Sequence, residues 1–116
     1  MAGYSYEFSG MSNGLTSVRQ INHRDESETN FHVALADEEI LRLAGRHVNT
    51  LVADMMDIGG AILVADRCSP RFQQQTIIHV TLPLRNVEIF EGAKVKEFMS
   101  SALHYYTNDH WEFEFL

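Results

Sequence analysis

The sequence predicts an α+β fold: a mixed sheet of about four to five strands with two helices packed on one of its faces. Short stretches that alternate apolar and polar residues, as half-buried strands do, lie near both ends of the chain and in its middle. Two longer stretches between them repeat apolar residues every three or four positions, as amphipathic helices do. The 116 residues suffice for one domain, so we expect residues 1–116 to form a single one.

The predicted strands follow the alternating segments. Residues 4–8, YSYEF, alternate aromatic with polar side chains, and residues 31–36, FHVALA, repeat the pattern. Residues 76–84, TIIHVTLPL, form a more apolar strand whose pairing should end at Pro83. The last strand is WEFEFL, residues 111–116, with its aromatic residues on one side and its glutamates on the other.

The segment between the first two alternating stretches is polar. Residues 9–30 are rich in Gly, Ser, Asn and charged side chains, which predicts a mobile or hairpin segment with a possible strand at 15–21 and a mobile loop at 22–30. Its first part, SGMSNG at 9–14, has the composition of a loop that cradles phosphate. Such a loop needs a helix directly after it, and none is predicted there, so we interpret SGMSNG as a turn.

The first helix is predicted to run from Asp37 to about Arg67. Acidic residues favour a helix start, and Pro70 cannot continue the helix. Such a helix would be ~45 Å long, more than the ~35 Å diameter of a domain of this size. We therefore expect a kink or a close crossing at Gly59 and Gly60, and self-association through that region or through the sheet edge.

The second helix is predicted over residues 87–106, before the break at TNDH. Its apolar residues recur at the spacing of one helical face. We expect this face to be buried, and its members are Val95, Phe98, Met99, Ala102, Leu103 and Tyr106.

Composition excludes several classes of function. The net charge is −7, with nine Lys and Arg residues spread along the chain, so nucleic-acid binding is disfavoured. The single cysteine, Cys68, rules out an internal disulfide and a zinc site of several thiolates. The first ten residues resemble no signal peptide, and no apolar run is long enough to span a membrane. We expect a cytoplasmic protein.

Asp54 and Asp57 are the most prominent candidate site residues. They lie on one face of the predicted first helix, together with Ala61. A D-x-x-D pair can hold Mg²⁺ when other oxygen ligands complete its shell. The favoured interpretation is structural: both carboxylates pair with an arginine or with backbone N–H groups at the edge of a packed helix. Arg46 and Arg85 are the two arginines considered.

The remaining candidates for chemistry are weak. The six histidines never stand four apart on one helix, and no H-E-x-x-H pattern occurs. His79, on a strand, is more typical of a core or interface histidine than of a metal ligand. Cys68 has no evident base nearby, so we interpret it as an inert thiol. No catalytic residue, metal ligand or cofactor is predicted.

Three segments carry a family resemblance: DMMDIGGAILVADRCSPR at 54–71, TIIHVTLPLRN at 76–86, and YTNDHWEFEFL at 106–116. They resemble the N-terminal region of QueC-like proteins, relatives of 7-cyano-7-deazaguanine synthase, from bacterial anti-phage defence systems of the Qat and type IV CBASS kinds. The resemblance covers about residues 31–116. The shared features are the D-x-x-D helix leading to A-D-R and Pro-Arg, the L-P-L-R-N strand, and a closing T-[GN]-D-x-W-x-F-x-F strand.

The resemblance implies an accessory role. QueC-like enzymes carry a serine-glycine-glycine loop of ATP pyrophosphatases, which would follow this region and is absent from the sequence. The implied roles are architectural or interfacial, and Asn108 replaces a glycine of the family, which asparagine can imitate at positive φ. The family-like positions are Asp54, Asp57, Asp66, Arg67, Arg71, Arg85, Asp109 and Trp111.

Three functions follow as hypotheses. The first is a non-enzymatic module that binds a protein partner: a QueC-like catalytic domain, another defence subunit, or a second copy of itself. The second is a small metal-dependent enzyme that uses Asp54 and Asp57 with a histidine. The third is a regulatory subunit that binds a nucleotide.

Overall fold

The computed structural model describes residues 2–12, 15–35, 49–71 and 75–116. Within these ranges the chain forms five strands and three helices. In chain order they are β1 (Ala2–Ser12), β2 (Leu15–Asn22), β3 (Ser27–Val33), α1 (Thr50–Cys68), β4 (Thr76–Leu82), α2 (Val87–Phe90), α3 (Ala93–Thr107) and β5 (His110–Phe115).

The five strands form one mixed sheet in the order β3-β2-β1-β4-β5. β1 pairs antiparallel with β2, and β2 antiparallel with β3. β4 lies parallel to both of its neighbours, β1 and β5. Parallel neighbours need a crossover, and the chain returns through α1 before β4 and through α2 and α3 before β5. The predicted α+β fold with a mixed sheet is confirmed.

One face of the sheet carries the core. Register aligns Tyr6 with Val80 and Val80 with Phe113, and all three are buried. The opposite face is polar and carries the ion pair between Arg19 and Glu7. Both long helices pack on the apolar face, as predicted, because each has one apolar stripe to bury. Their contributions to the core include Ile58, Ala61 and Ala65 from α1, and Met99 and Leu103 from α3.

The polar N-terminal segment forms strands. β1 continues to Ser12, with an irregularity in its pairing at Gly10, whose φ of +46° suits glycine. The predicted loop at 22–30 was too long, because the turn covers only 23–26 and β3 begins at Ser27. The strand predicted at 31–36 is therefore misplaced: it begins earlier and ends at Val33. Pairing with β2 forms this strand although its sequence does not alternate.

Helix α1 begins at Thr50. Asn49 has extended backbone angles, and its side chain accepts a hydrogen bond from the N–H of Leu51 (2.8 Å), which is an N-cap. The helix predicted from Asp37 to Arg67 is therefore interrupted at Asn49, and its part at 37–48 lies outside the described residues. None of the helices in the described part of the chain combines the length and apolarity needed to cross a bilayer.

Gly59 and Gly60 lie within α1, and the helix is continuous through both. Of the expected kink or close crossing, a close approach exists at Gly60. A Cβ atom added there would lie 2.9 Å from Cδ2 of the buried Leu35. A Cβ atom at Gly59 would have no atom of the described residues within 4 Å. Only the second glycine is therefore needed for packing.

The predicted second helix is two helices. Gly92 has extended backbone angles and separates α2 from α3. The face predicted to be buried is at most half-buried, because α3 packs mainly against β5, the last strand in the sheet order. Its partly buried residues are Met99, Ala102 and Leu103, and its exposed residues are Val95, Phe98 and Tyr106. Leu103 contacts the core, whereas Phe98 is 77% exposed and Tyr106 is 83% exposed. Asn108 ends α3 at φ +61°, which confirms the positive φ expected of it.

Substitution of the two glycines should separate helix propensity from packing. Gly59→Ala should raise the free energy of unfolding by about 0.5–1 kcal/mol, because alanine is the better helix former and the site is open. Gly60→Ala should gain less or lose stability, because its methyl group must displace Leu35. Urea unfolding of both variants measures the difference. Equal gains would contradict the close packing at Gly60.

Candidate functional site

Asp54 accepts four hydrogen bonds inside the protein. It lies in the second turn of α1 and is fully buried. Its Oδ1 accepts from the backbone N–H of Arg85 at 2.9 Å and from Nη1 of the same residue at 3.2 Å. Its Oδ2 accepts from the backbone N–H of Asn86 at 2.7 Å and from Nδ2 of that side chain at 2.9 Å. The carboxylate therefore joins α1 to the segment after β4.

The local sequence explains why this segment needs a carboxylate. At Arg85 and Asn86 the chain has left the sheet and turns into α2, so their N–H groups have no strand partner. Asn86 is the N-cap residue of α2 but makes no capping bond with its own side chain. Its Nδ2 instead donates to Asp54 and to Oγ1 of Thr50 at 3.2 Å. Asp54 thus supplies from α1 the acceptor for the two backbone N–H groups that lead into α2.

Arg85 joins the two acidic residues of the D-x-x-D pair. Its Nη1 donates to Asp54 and, at 2.9 Å, to Oδ2 of Asp57. Both carboxylates are buried, and so is Ala61, as the shared helical face predicts. Of the two arginines considered from the sequence, Arg85 contacts both carboxylates, and Arg46 lies outside the described residues.

Burial alone would raise the pKa of Asp54, because a carboxylate loses its hydration in the interior. The hydrogen bonds from the two backbone N–H groups and from the side chains of Asn86 and Arg85 outweigh this effect. The pKa is therefore below its ordinary value of 3.8. Asp54 is ionised at neutral pH, and its charge is compensated within the fold.

A second polar cluster lies at the other end of α1. Arg71 donates from Nη2 to Oδ1 of Asp66 at 2.6 Å and from Nε to Oδ2 of Asp109 at 2.9 Å. Its Nη1 donates to the backbone carbonyls of Asp66 and Ser69. The guanidinium therefore binds the end of the helix and the residue before β5 at once.

Asp109 extends this cluster to the sheet. Its Oδ1 accepts from the backbone N–H of Thr76, the first residue of β4, at 3.2 Å. Its own N–H donates to Oγ1 of Thr107, which also accepts from Nε1 of Trp111 at 2.9 Å. Trp111 is 1% exposed, so this bond satisfies an indole N–H that burial would otherwise leave without a partner.

The end of α1 is also held by side chains from the sheet, which the sequence did not indicate. Tyr6 Oη lies 2.6 Å from Ser69 Oγ, and Ser69 in turn donates to the carbonyl of Ala65. Gln20 donates to Tyr6 Oη at 2.8 Å and to the carbonyl of Cys68 at 2.9 Å. Burial raises the pKa of Tyr6, against the effect of these hydrogen bonds, so the phenol stays neutral. Pro70 predicted the helix end itself, but no sequence pattern marked Tyr6 and Gln20 as the residues that bind it.

A cavity of about 380 Å³ adjoins the first cluster at the end of β4. Its wall is largely apolar, with the Asp57–Arg85 ion pair at one side. A polar ligand there would compete with an ion pair that is already formed. Its lining residues are Ser9, Gly10, Thr16, Leu35, Asp57, Leu82, Pro83, Leu84 and Arg85.

The other predicted site residues lie apart from both clusters. Arg67 and Cys68 are exposed in the last turn of α1, where a cation suits the negative end of the helix dipole. In the described ranges, no three His, Cys, Asp or Glu side chains are arranged to hold a metal ion. Compared with protein-family models, curated proteins and solved structures, the chain matches none. Function must therefore be argued from its own residues.

Replacement of Asp54 tests its structural role. Asp54→Asn should lower the free energy of unfolding by about 2–4 kcal/mol, because an amide N–H₂ would then face buried donors and Arg85 would lose a carboxylate. Urea unfolding measures the loss. The matched control is Glu97→Gln on the exposed side of α3, which should leave the midpoint unchanged. Equal behaviour of the two variants would show that the bonds to Asp54 do not stabilise the fold.

The lowered pKa of Asp54 also predicts how the stability of the protein depends on pH. A carboxylate whose pKa is lower in the folded state stabilises the protein above its unfolded pKa, and this contribution is lost as the pH falls through the folded value. The stability difference between wild type and Asp54→Asn should therefore be constant from pH 7 to about pH 5 and shrink below about pH 4. Urea midpoints measured across this range provide the test. A difference that persists undiminished at pH 2 would contradict it.

Proposed function

We propose that this chain is a non-catalytic accessory module of the cytoplasm that binds a protein partner, with a QueC-like catalytic domain of an anti-phage system as that partner. The observation that carries the proposal is a cluster of exposed aromatic side chains on α3. We name Phe98, Tyr105 and Tyr106 the aromatic patch. They are 77%, 83% and 83% exposed.

The aromatic patch has the size and composition of a binding surface. A fully buried Phe or Tyr removes about 150–250 Å² from water, so these three residues offer on the order of 400 Å². The rings of Tyr105 and Tyr106 meet edge to face, with centroids 5.2 Å apart, and so form a continuous surface. Phe98 lies seven residues before Tyr105, about two helical turns away on the same side of α3. Aromatic residues are enriched at the centres of interfaces, and the largest exposed apolar patch of a monomer is often functional.

The helix beneath the patch is well anchored. Met99 and Leu103 attach α3 to the core, and His104 Nδ1 lies 3.1 Å from the carbonyl oxygen of Asp109. A partner would therefore meet side chains on a fixed helix, and little ordering entropy would oppose binding.

The acidic residues support a module over an enzyme. Asp54 and Asp57 bind Arg85, and Asp54 also binds two backbone N–H groups. A metal ion would have to replace these bonds. The segments that carry the family resemblance supply both polar clusters, as expected for residues with architectural roles. No observation favours the nucleotide-binding alternative over this proposal.

Co-purification tests the proposal. The chain should be expressed with the protein encoded beside it that carries a serine-glycine-glycine pyrophosphatase loop, and the complex isolated through a tag on that protein. Phe98→Ala combined with Tyr105→Ala should weaken binding at least tenfold, because both rings lose their contact area. Isothermal titration of the purified partners measures the affinity.

The matched control is Leu15→Ala, which removes an exposed apolar side chain from β2. It should leave the affinity unchanged, and circular dichroism should show that all variants fold. If the two proteins form no complex, the proposed partner is wrong. Loss of binding in Leu15→Ala but not in the double variant would move the interface away from α3.

A further inference from the structure

β3 is an edge strand without the usual protection against pairing. Among the described residues it pairs only with β2, and it lies at the end of the sheet order. Its seven residues contain no proline and no lysine, and its register with β2 has no irregularity. Ser27–Asn30 and His32 are exposed. Alternate residues of such a strand direct N–H and C=O groups outward, ready for another strand.

The other edge of the sheet is less accessible. β5 presents Trp111, Phe113 and Phe115, which are 1%, 7% and 4% exposed, so its backbone has little contact with solvent at these positions. Its exposed side chains on the polar face include Glu112 and Glu114. We therefore expect a strand of another molecule to pair with β3 and not with β5.

We infer that two copies of the chain associate through β3, antiparallel and about a two-fold axis perpendicular to the sheet, into one continuous ten-stranded sheet. Such an axis keeps the helices of both copies on the same side. Side chains directly opposite one another then point to the same face. This condition is met only when the two-fold axis passes between the two copies of one residue, so that this residue lies opposite itself.

One register is singled out by overlap and by charge. When Asn30 lies opposite Asn30 of the second copy, all seven residues of β3 are paired. Glu28 of each copy then lies opposite His32 of the other, so this contact occurs twice. An imidazole N–H can donate to a carboxylate whether the ring is charged or neutral. Centring the axis on Thr29 places Glu28 opposite Asn30, and centring it on Phe31 places Glu28 beyond the end of the strand.

Both faces of the strand suit this register. Arg19 binds Glu28 on the polar face, with N–O distances of 2.7 and 3.1 Å. The carboxylate is therefore already held in position before a second copy of the chain binds. On the apolar face, Phe31 would lie opposite Thr29 of the second copy, and Val33 opposite Ser27. Phe31 and Val33 are only partly buried against the core, and pairing would cover them further.

Sedimentation velocity of the whole chain over a concentration series tests the inference. A chain of 13.3 kDa should sediment as a dimer at high concentration. His32→Glu should weaken the dimer at least about tenfold, because two contacts become like-charge pairs, whereas His32→Lys should retain it. The matched control is His110→Glu, at an exposed histidine of β5, which should leave the dimer unchanged.

Amide hydrogen exchange locates the contact. Protection in β3 should increase with protein concentration, while β5 should not change. A wild-type chain that remains monomeric at ~500 μM would overturn the inference, and so would a dimer that His32→Glu leaves intact. The inference is independent of the proposed function: Phe98→Ala with Tyr105→Ala should leave self-association unchanged, and His32→Glu should leave the aromatic patch able to bind its partner.

Discussion

The fold depends on a buried carboxylate that substitutes for missing backbone partners. Where the chain leaves β4 and turns into α2, the N–H groups of Arg85 and Asn86 lie beyond the sheet, and Asp54 accepts from both. A buried N–H group without an acceptor, or a buried carboxylate without donors, would each destabilise the fold by a few kcal/mol, roughly. Here the N–H groups supply the donors that the carboxylate needs, and the carboxylate supplies their acceptor. This constraint fixes the first half of α1 against the end of β4, and Arg85 completes it by joining Asp57.

A cation performs the corresponding role at the other end of the helix. Arg71 binds carbonyls at the end of α1 and the carboxylate of Asp109, whose second oxygen accepts from the first N–H of β4. A carboxylate, Asp54, thus attaches α1 to the end of β4, and a cation, Arg71, attaches it near the beginning of the same strand. Neither attachment uses the exposed aromatic side chains of α3 or the exposed residues of β3, which are the surfaces that we propose for partners.

Predictions from the sequence were correct where the spacing of apolar residues along the chain depends directly on which side of an element is buried. The alternation in β1 and β5 predicted strands with one buried face, and the spacing of Asp54, Asp57 and Ala61 predicted that they share a buried helical face. It failed where tertiary contacts decide. The first residues of β3 are polar and become a strand only through pairing with β2. The width of the buried stripe on α3 depends on how the helix lies on the sheet, so the exposure of Phe98 could not be read from periodicity. The donors to Asp54 are backbone groups, which no sequence pattern marks, although Arg85 was a recognisable partner.

The most direct test of this account is the ionisation of Asp54 itself, followed by the ¹³C resonance of its carboxyl group in an NMR titration. If the carboxylate is bound by the protein's own N–H groups, its pKa lies below the ordinary 3.8 and its resonance is unaffected by Mg²⁺ at neutral pH. A pKa above 3.8, together with a shift of the resonance on addition of Mg²⁺, would contradict the account, because the carboxylate would then be available to a ligand.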